Sequence, residues 1–303
     1  MAETYWLIPT DGRRDTHVEA AFAETTPAGI RLWTANLRPQ PELRWGINQH
    51  RDGVPDFAAV CRGIWHAPDW ILQPAPLEAG AYHPRIWRRG NPGLFELPPA
   101  DQRAFYSAAA EALVLFDKLN AVFRIVEPHP SNEDCYGHET RQLLILACTE
   151  VENAMRSVLQ ANGYPGGTRL STNDYVKLLG PMQLDRYRVR LPIRPDWPAL
   201  TPFAGWNAGM PTQSLTWYDA YNATKHDRES NSGQASLKHL ISATSAVFVL
   251  VAARFGPDAF GPAGIGVKTD DFALLDTPTW ARRDEVYIPV PAGMARAAVP
   301  CVL

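Results

Sequence analysis

Apolar positions recur at helical spacing through the middle of the chain and not through its first hundred residues. From Asp101 to Val126, Phe105, Ala109, Ala112, Leu113, Phe116, Leu119 and Phe123 mark one face, which predicts a long amphipathic helix. Leu97-Pro98-Pro99-Ala100 precedes it, Asp101 offers a capping carboxylate, and Pro128 and Pro130 stop it. A second helix is predicted from His138 to Asn162, striped by Leu144, Ala147, Val151, Met155 and Val158, with Gly163 just past its end. Two more follow, from about Leu215 to Arg228 and from about Gly233 to Phe255. The last buries Leu237, Leu240, Ile241, Thr244, Phe248 and Val251.

The flanks read differently. Residues 1–98 are rich in proline and aromatics, with short strands predicted at Tyr5–Ile8 and Ile30–Trp33 and weaker ones at Ala59–Trp65 and Trp70–Leu72. Prolines at 55, 68, 74 and 76 favour turns and edge strands. Arg85-Ile86-Trp87-Arg88-Arg89 fits either a strand with a charged face or a stacking and phosphate-contacting surface. Between the helix pairs, 163–212 forms an insertion. Ser171 to Asp174 supplies capping chemistry for a short helix through Leu179, and prolines at 192, 195, 198 and 202 make an irregular connector. Residues 256–303 form a tail with a little strand, for example at Glu285–Pro289. The fold class is therefore α+β, mainly α: a helical bundle over 99–255 with a β-containing N-terminal module over 1–98.

Composition narrows the classes. A hydrophobic fraction of 46% and ten tryptophans exclude a wholly disordered chain, and a net charge of −3 excludes general electrostatic attraction to nucleic acid. Cys61, Cys135, Cys148 and Cys301 lack any paired spacing, and His50, His66 and His83 stand far apart, so neither a metal nor a cofactor is expected. No basic stretch leads into an apolar one at the N-terminus. The longest apolar run, Ala243–Ala253, falls short of a bilayer, so a soluble, cytoplasmic protein without membrane contact is expected.

The densest polar cluster lies on the third helix. Asn222, Lys225 and His226 fall at i, i+3 and i+4 and share a face. Histidine suits proton transfer near neutral pH, and a cation beside it can stabilise a phosphorane. Lys225, Arg228 and Arg156 are the candidate cations, with Glu152 placed to orient the histidine or to pair with Arg156 at i+4. Arg186, Arg188 and Arg190, in an extended segment, share one face and suit either phosphate contact or a guarded strand edge. The same residues also admit a purely structural reading, because cations at a helix C-terminus complement its dipole.

Leu143 to Glu152 on the second helix, with Tyr221-Asn222-Ala223-Thr224-Lys225-His226-Asp227-Arg228 on the third, resembles the HEPN superfamily of helical-bundle proteins over about residues 101–255. That resemblance implies metal-independent RNA cleavage or RNA binding, in prokaryotic toxin–antitoxin or other defence systems. It also implies an antitoxin or other protein partner, and a site shared across a homodimer. The family pattern sets an arginine, then four to six intervening residues, then the histidine. Here those positions hold Asp219, Ala220 and Tyr221. Three functions stay open: a ribonuclease or toxin, an inactive module binding RNA, a nucleotide or a protein, and an assembly protein that works through its N-terminal module.

Overall fold

The computed structural model describes residues 4–8, 19–26, 29–36, 45–50, 71–78, 80–91, 93–165, 169–260, 269–280, 285–287 and 296–303. The chain divides into two compact units. One comprises Met1–Tyr82, Arg88–Gly93 and Thr279–Val299; the other comprises His83–Trp87, Leu94–Pro278 and Pro300–Leu303. Helices dominate the described residues, and the protein is α+β, mainly α.

The first unit carries β1 (Thr4–Ile8), β2 (Glu19–Thr26), β3 (Gly29–Asn36), β4 (Trp45–His50) and β5 (Ile71–Pro74), in the antiparallel order β4-β3-β2-β1-β5. β1 and β3 coincide with the predicted strands, and β5 falls beside the weaker candidate at Trp70–Leu72. β2 and β4 carried no clear signal: Glu-Ala-Ala-Phe-Ala-Glu is poor in the branched residues that mark strands. Pro74 pairs with Tyr5 on the edge strand, where a missing N–H is tolerated. The candidate strand Ala59–Trp65 lies outside the described residues. β6 (Ala81–Tyr82) pairs in parallel with β9 (Ala297–Ala298), and Tyr82 meets Tyr287 edge-on at 6.4 Å. Glu285–Tyr287, expected to extend, carries no strand.

The second unit is built on α1 (Pro99–Phe123), α2 (His138–Ala161), α5 (Thr216–His226) and α7 (Leu237–Phe255), joined by the short helices α3 (Thr172–Tyr175), α4 (Leu179–Met182) and α6 (Arg228–Asn231). α1 starts two residues before Asp101. Pro98 is the N-cap and Pro99 occupies the first turn, where its missing N–H costs nothing. Asp101 is thus inside the helix and pairs with Arg85 at 3.0 Å instead of capping. α2 begins with Thr140 Oγ1 accepting from Gly137 N at 2.7 Å. It ends in a Schellman turn: Gly163, at φ +69°, donates to Gln160 O, and Tyr164 donates to Leu159 O at 3.0 Å.

α7 is the central helix, and its predicted face is buried throughout. By length and composition it is long and apolar enough to cross a membrane, with mean hydropathy 1.4, more than its uninterrupted apolar run conveyed. Within this unit 83% of that window is buried, the environment of a core helix. Its first amides are satisfied by another segment, because Leu237 N donates to Cys135 O and Lys238 N to Glu133 O. Phe248 stacks on Phe260 at 5.2 Å, and Phe116 meets Phe272 at the same distance. The insertion is irregular but packed: Trp197, Phe203 and Trp206 are buried, and Trp217 Nε1 donates to Pro202 O at 2.8 Å. Ser171 and Asp174 form the expected capping box ahead of α3.

Arg85–Arg89 is not a strand. Arg85 sits at φ +57°, which breaks the alternation an extended segment needs. Ile86 is fully buried, and Arg85 turns to Asp101 and the Ser157 hydroxyl. Arg88 lies over the Tyr287 ring at 5.5 Å.

Candidate functional site

α5 is an eleven-residue helix whose inner face, Trp217, Tyr218, Ala220, Tyr221 and Thr224, is buried. Two tyrosines on that face reach polar groups at the seam with α2. Tyr218 Oη donates to Glu152 Oε1 at 2.7 Å, and Lys225 Nζ donates to Tyr221 Oη at 2.8 Å while lying 5.0 Å from the ring centre. The two rings meet edge-on at 5.4 Å. Glu152 and Lys225, one on each helix, are thus brought to one site, each through a tyrosine hydroxyl.

Electrostatics follow from this packing. Burial first, and then the bond to Glu152, hold the Tyr218 phenol well above its ordinary pKa. Burial also raises Tyr221, against the opposing pull of Lys225. The hydrogen bond with Tyr221 raises Lys225. Beneath them Cys148 is fully buried, and burial, reinforced by the Glu152 charge, pushes its thiol well up. Tyr218 and Cys148 therefore keep their protons at neutral pH, and Lys225 its charge. None of these three is poised for proton transfer there.

The remaining predicted residues lie apart from this pairing. His226 is the last residue of α5, is exposed, and makes no side-chain hydrogen bond or ion pair with a described residue. Asn222 is half-buried and likewise makes no side-chain hydrogen bond with a described residue. The backbone of Arg228 opens α6, and its side chain lies outside what is described. Glu152 bonds Tyr218, so it neither orients His226 nor forms the expected ion pair with Arg156. The tyrosine offered a donor that is already buried and ordered, whereas an exposed i, i+4 pair gains only about 0.3–0.5 kcal/mol. Arg156 turns instead to Asn153 Oδ1 at 3.4 Å and Tyr175 Oη at 3.5 Å.

The arginine run is split by local structure. Arg188 and Arg190 flank buried Val189 on β7 (Arg188–Arg190), which pairs with β8 (Ala273–Asp276). Arg186 belongs to the preceding 3₁₀ turn, Leu184–Arg186, so the three do not share one strand face. Arg188 is bound to Asp276, while Arg186 and Arg190 are exposed and without an ion pair to a described residue. Among the described residues no three His, Cys, Asp or Glu side chains converge as metal ligands would. The tyrosines were the signal missed from sequence. Tyr218 and Tyr221 fall at i, i+3 on the helix that carries the polar cluster, and only the neighbour α2 reveals what they bind. No family model matches the chain, and neither a curated protein nor a solved structure matches it.

Proposed function

We propose that the helical unit is a HEPN-like module that binds RNA without cleaving it. The observation that carries this reading is the pair of tyrosine bonds: Tyr218 bonds Glu152 and Tyr221 bonds Lys225, so among the described residues neither the carboxylate nor the cation is bonded to His226. The absence of arginine at Asp219, Ala220 and Tyr221 supports it. For the RNA itself, exposed Arg186 and Arg190 supply charge for phosphate contact.

A second reading, a ribonuclease completed across a homodimer, is favoured by one feature. His226 is exposed at a helix end, where a second chain can reach it. One experiment separates the two. Labelled single-stranded RNA is incubated with the full chain in EDTA, and binding is followed by anisotropy and integrity by gel. The binding reading expects salt-dependent association with intact RNA, weakened by Arg186→Ala and Arg190→Ala together and unaltered by His226→Ala. RNA cut by the wild type and spared by His226→Ala, with helicity intact, establishes the nuclease instead. No association at low salt overturns both.

A further inference from the structure

On another side of α2, the helices α1, α2 and α7 leave a cavity of about 390 Å³ between them. Small side chains line it: Ala108 on α1 and Ala154 on α2 leave the gap between the helices unfilled, and Val251 of α7 forms an apolar wall. Its two ends differ in charge. At one end stands Arg254, only 6% exposed, with no ion pair to a described residue and with its Nε lacking any hydrogen-bond partner. Its Nη2 donates to Ser157 Oγ at 3.2 Å, and the same hydroxyl accepts from Arg85. Asp101 pairs with Arg85, so two guanidinium groups converge on a site that holds one paired carboxylate.

At the other end lie Glu111, exposed at the mouth, and Glu150, half-buried. Glu150 receives Asn153 Nδ2 at 3.3 Å and forms no ion pair with a described residue. Seven residues separate Glu150 from Ser157 on α2, about 10 Å along the helix axis. Burial acts on both ends more strongly than the attraction between them, in which the Glu150 charge raises Arg254 and the Arg254 charge lowers Glu150. Burial, then the Arg85 charge, draws Arg254 down to about 9. Burial raises the Glu150 carboxyl, and the Glu111 charge adds to the rise. Asp101 and Glu150 offset part of the cost of burying Arg254, but neither pairs with it directly and its Nε has no hydrogen-bond partner among the described residues.

We propose that this cavity binds a small zwitterion, its carboxylate against Arg254 and its ammonium group against Glu111 and Glu150, with a short apolar chain along Ala108, Ala154 and Val251. Each end offers the partner that the ligand's charge requires, at a spacing that a chain of a few methylenes spans. The site stands on the cavity alone and is independent of RNA binding.

The test titrates the full chain by calorimetry with three probes: ε-aminocaproate, caproate and hexylamine, which carry both charges, the negative one, or the positive one. The zwitterion is expected to bind roughly ten-fold or more tightly than either single-charge probe, the worth of one charge-assisted hydrogen bond. Arg254→Met is expected to abolish binding of ε-aminocaproate. Because Arg254 is buried, Glu111→Gln at the exposed mouth gives a second variant, expected to weaken ε-aminocaproate severalfold. Heat release by none of the probes at millimolar concentration overturns the proposal. So does equal affinity for all three, or ε-aminocaproate binding unchanged in Glu111→Gln.

Discussion

Replacing Tyr218 by Phe removes one oxygen from the α2–α5 seam and leaves the ring. The edge contacts with Trp217 at 5.8 Å and Tyr221 at 5.4 Å persist, so little packing is lost. What disappears is the 2.7 Å hydrogen bond to the Glu152 carboxylate. A hydrogen bond to a charged group contributes about 1.5–3 kcal/mol, and a half-buried acceptor recovers part of that from water, leaving about 1–2 kcal/mol. In a unit of this size that lowers Tm by roughly 2–8 °C. The assay is urea unfolding followed by far-UV circular dichroism, which reads the helices, on wild type, Tyr218→Phe, Glu152→Gln and the double variant. The single variants are expected to be non-additive, because both remove the same bond. A Tyr218→Phe variant as stable as wild type, or strict additivity, refutes the assignment of Glu152 to this seam and returns it to His226.

Tyr175, Tyr187, Tyr218 and Tyr221 all have phenols raised chiefly by burial, and Lys225 is raised by its bond to Tyr221. The native state therefore keeps protons that the unfolded chain releases. Stability is full below about pH 10 and falls as pH rises beyond it. Tyrosinate absorbance and circular dichroism recorded together are expected to show Tyr187 and Tyr218 ionising only as helix is lost; ionisation of every tyrosine with the helices intact contradicts this. Iodoacetamide at about pH 8 is expected to alkylate exposed Cys135 and spare buried Cys148 in the native protein, as peptide mass spectrometry reads directly. Labelling of Cys148 at the rate of Cys135 rejects its burial. Gly256→Ala places a Cβ 2.9 Å from Trp87 Nε1 at φ +113°, and backbone strain alone is expected to cost about 1–3 kcal/mol in urea unfolding. A neutral effect there excludes the positive φ at Gly256.

The sequence by itself determined the long elements. Phe105 to Phe123, Leu144 to Val158 and Leu237 to Val251 repeat at helical spacing over many turns, and Gly163, Pro99 and the Ser171–Asp174 box punctuate them. Such signals are local, because they arise from the period of one helix and from the dihedral preferences of single residues. β2 and β4 were illegible for the matching reason: the alanines of β2 and the Gly46, Asn48 and Gln49 of β4 state no preference for a strand, and a neighbouring strand supplies it. Side-chain partnership was decided only by the tertiary structure. Local spacing pointed Glu152 at Arg156 and Asp101 at its own helix end. Packing instead delivered Tyr218 from α5 and Arg85 from a left-handed turn, 66 and 16 residues away in the chain. The same holds for Arg254, which in the sequence is one basic residue closing an apolar helix. Only the gap that Ala108 and Ala154 leave between α1 and α2 makes it the buried end of a cavity. Helical periodicity is written residue by residue, whereas partners and cavities exist only where elements distant in sequence meet.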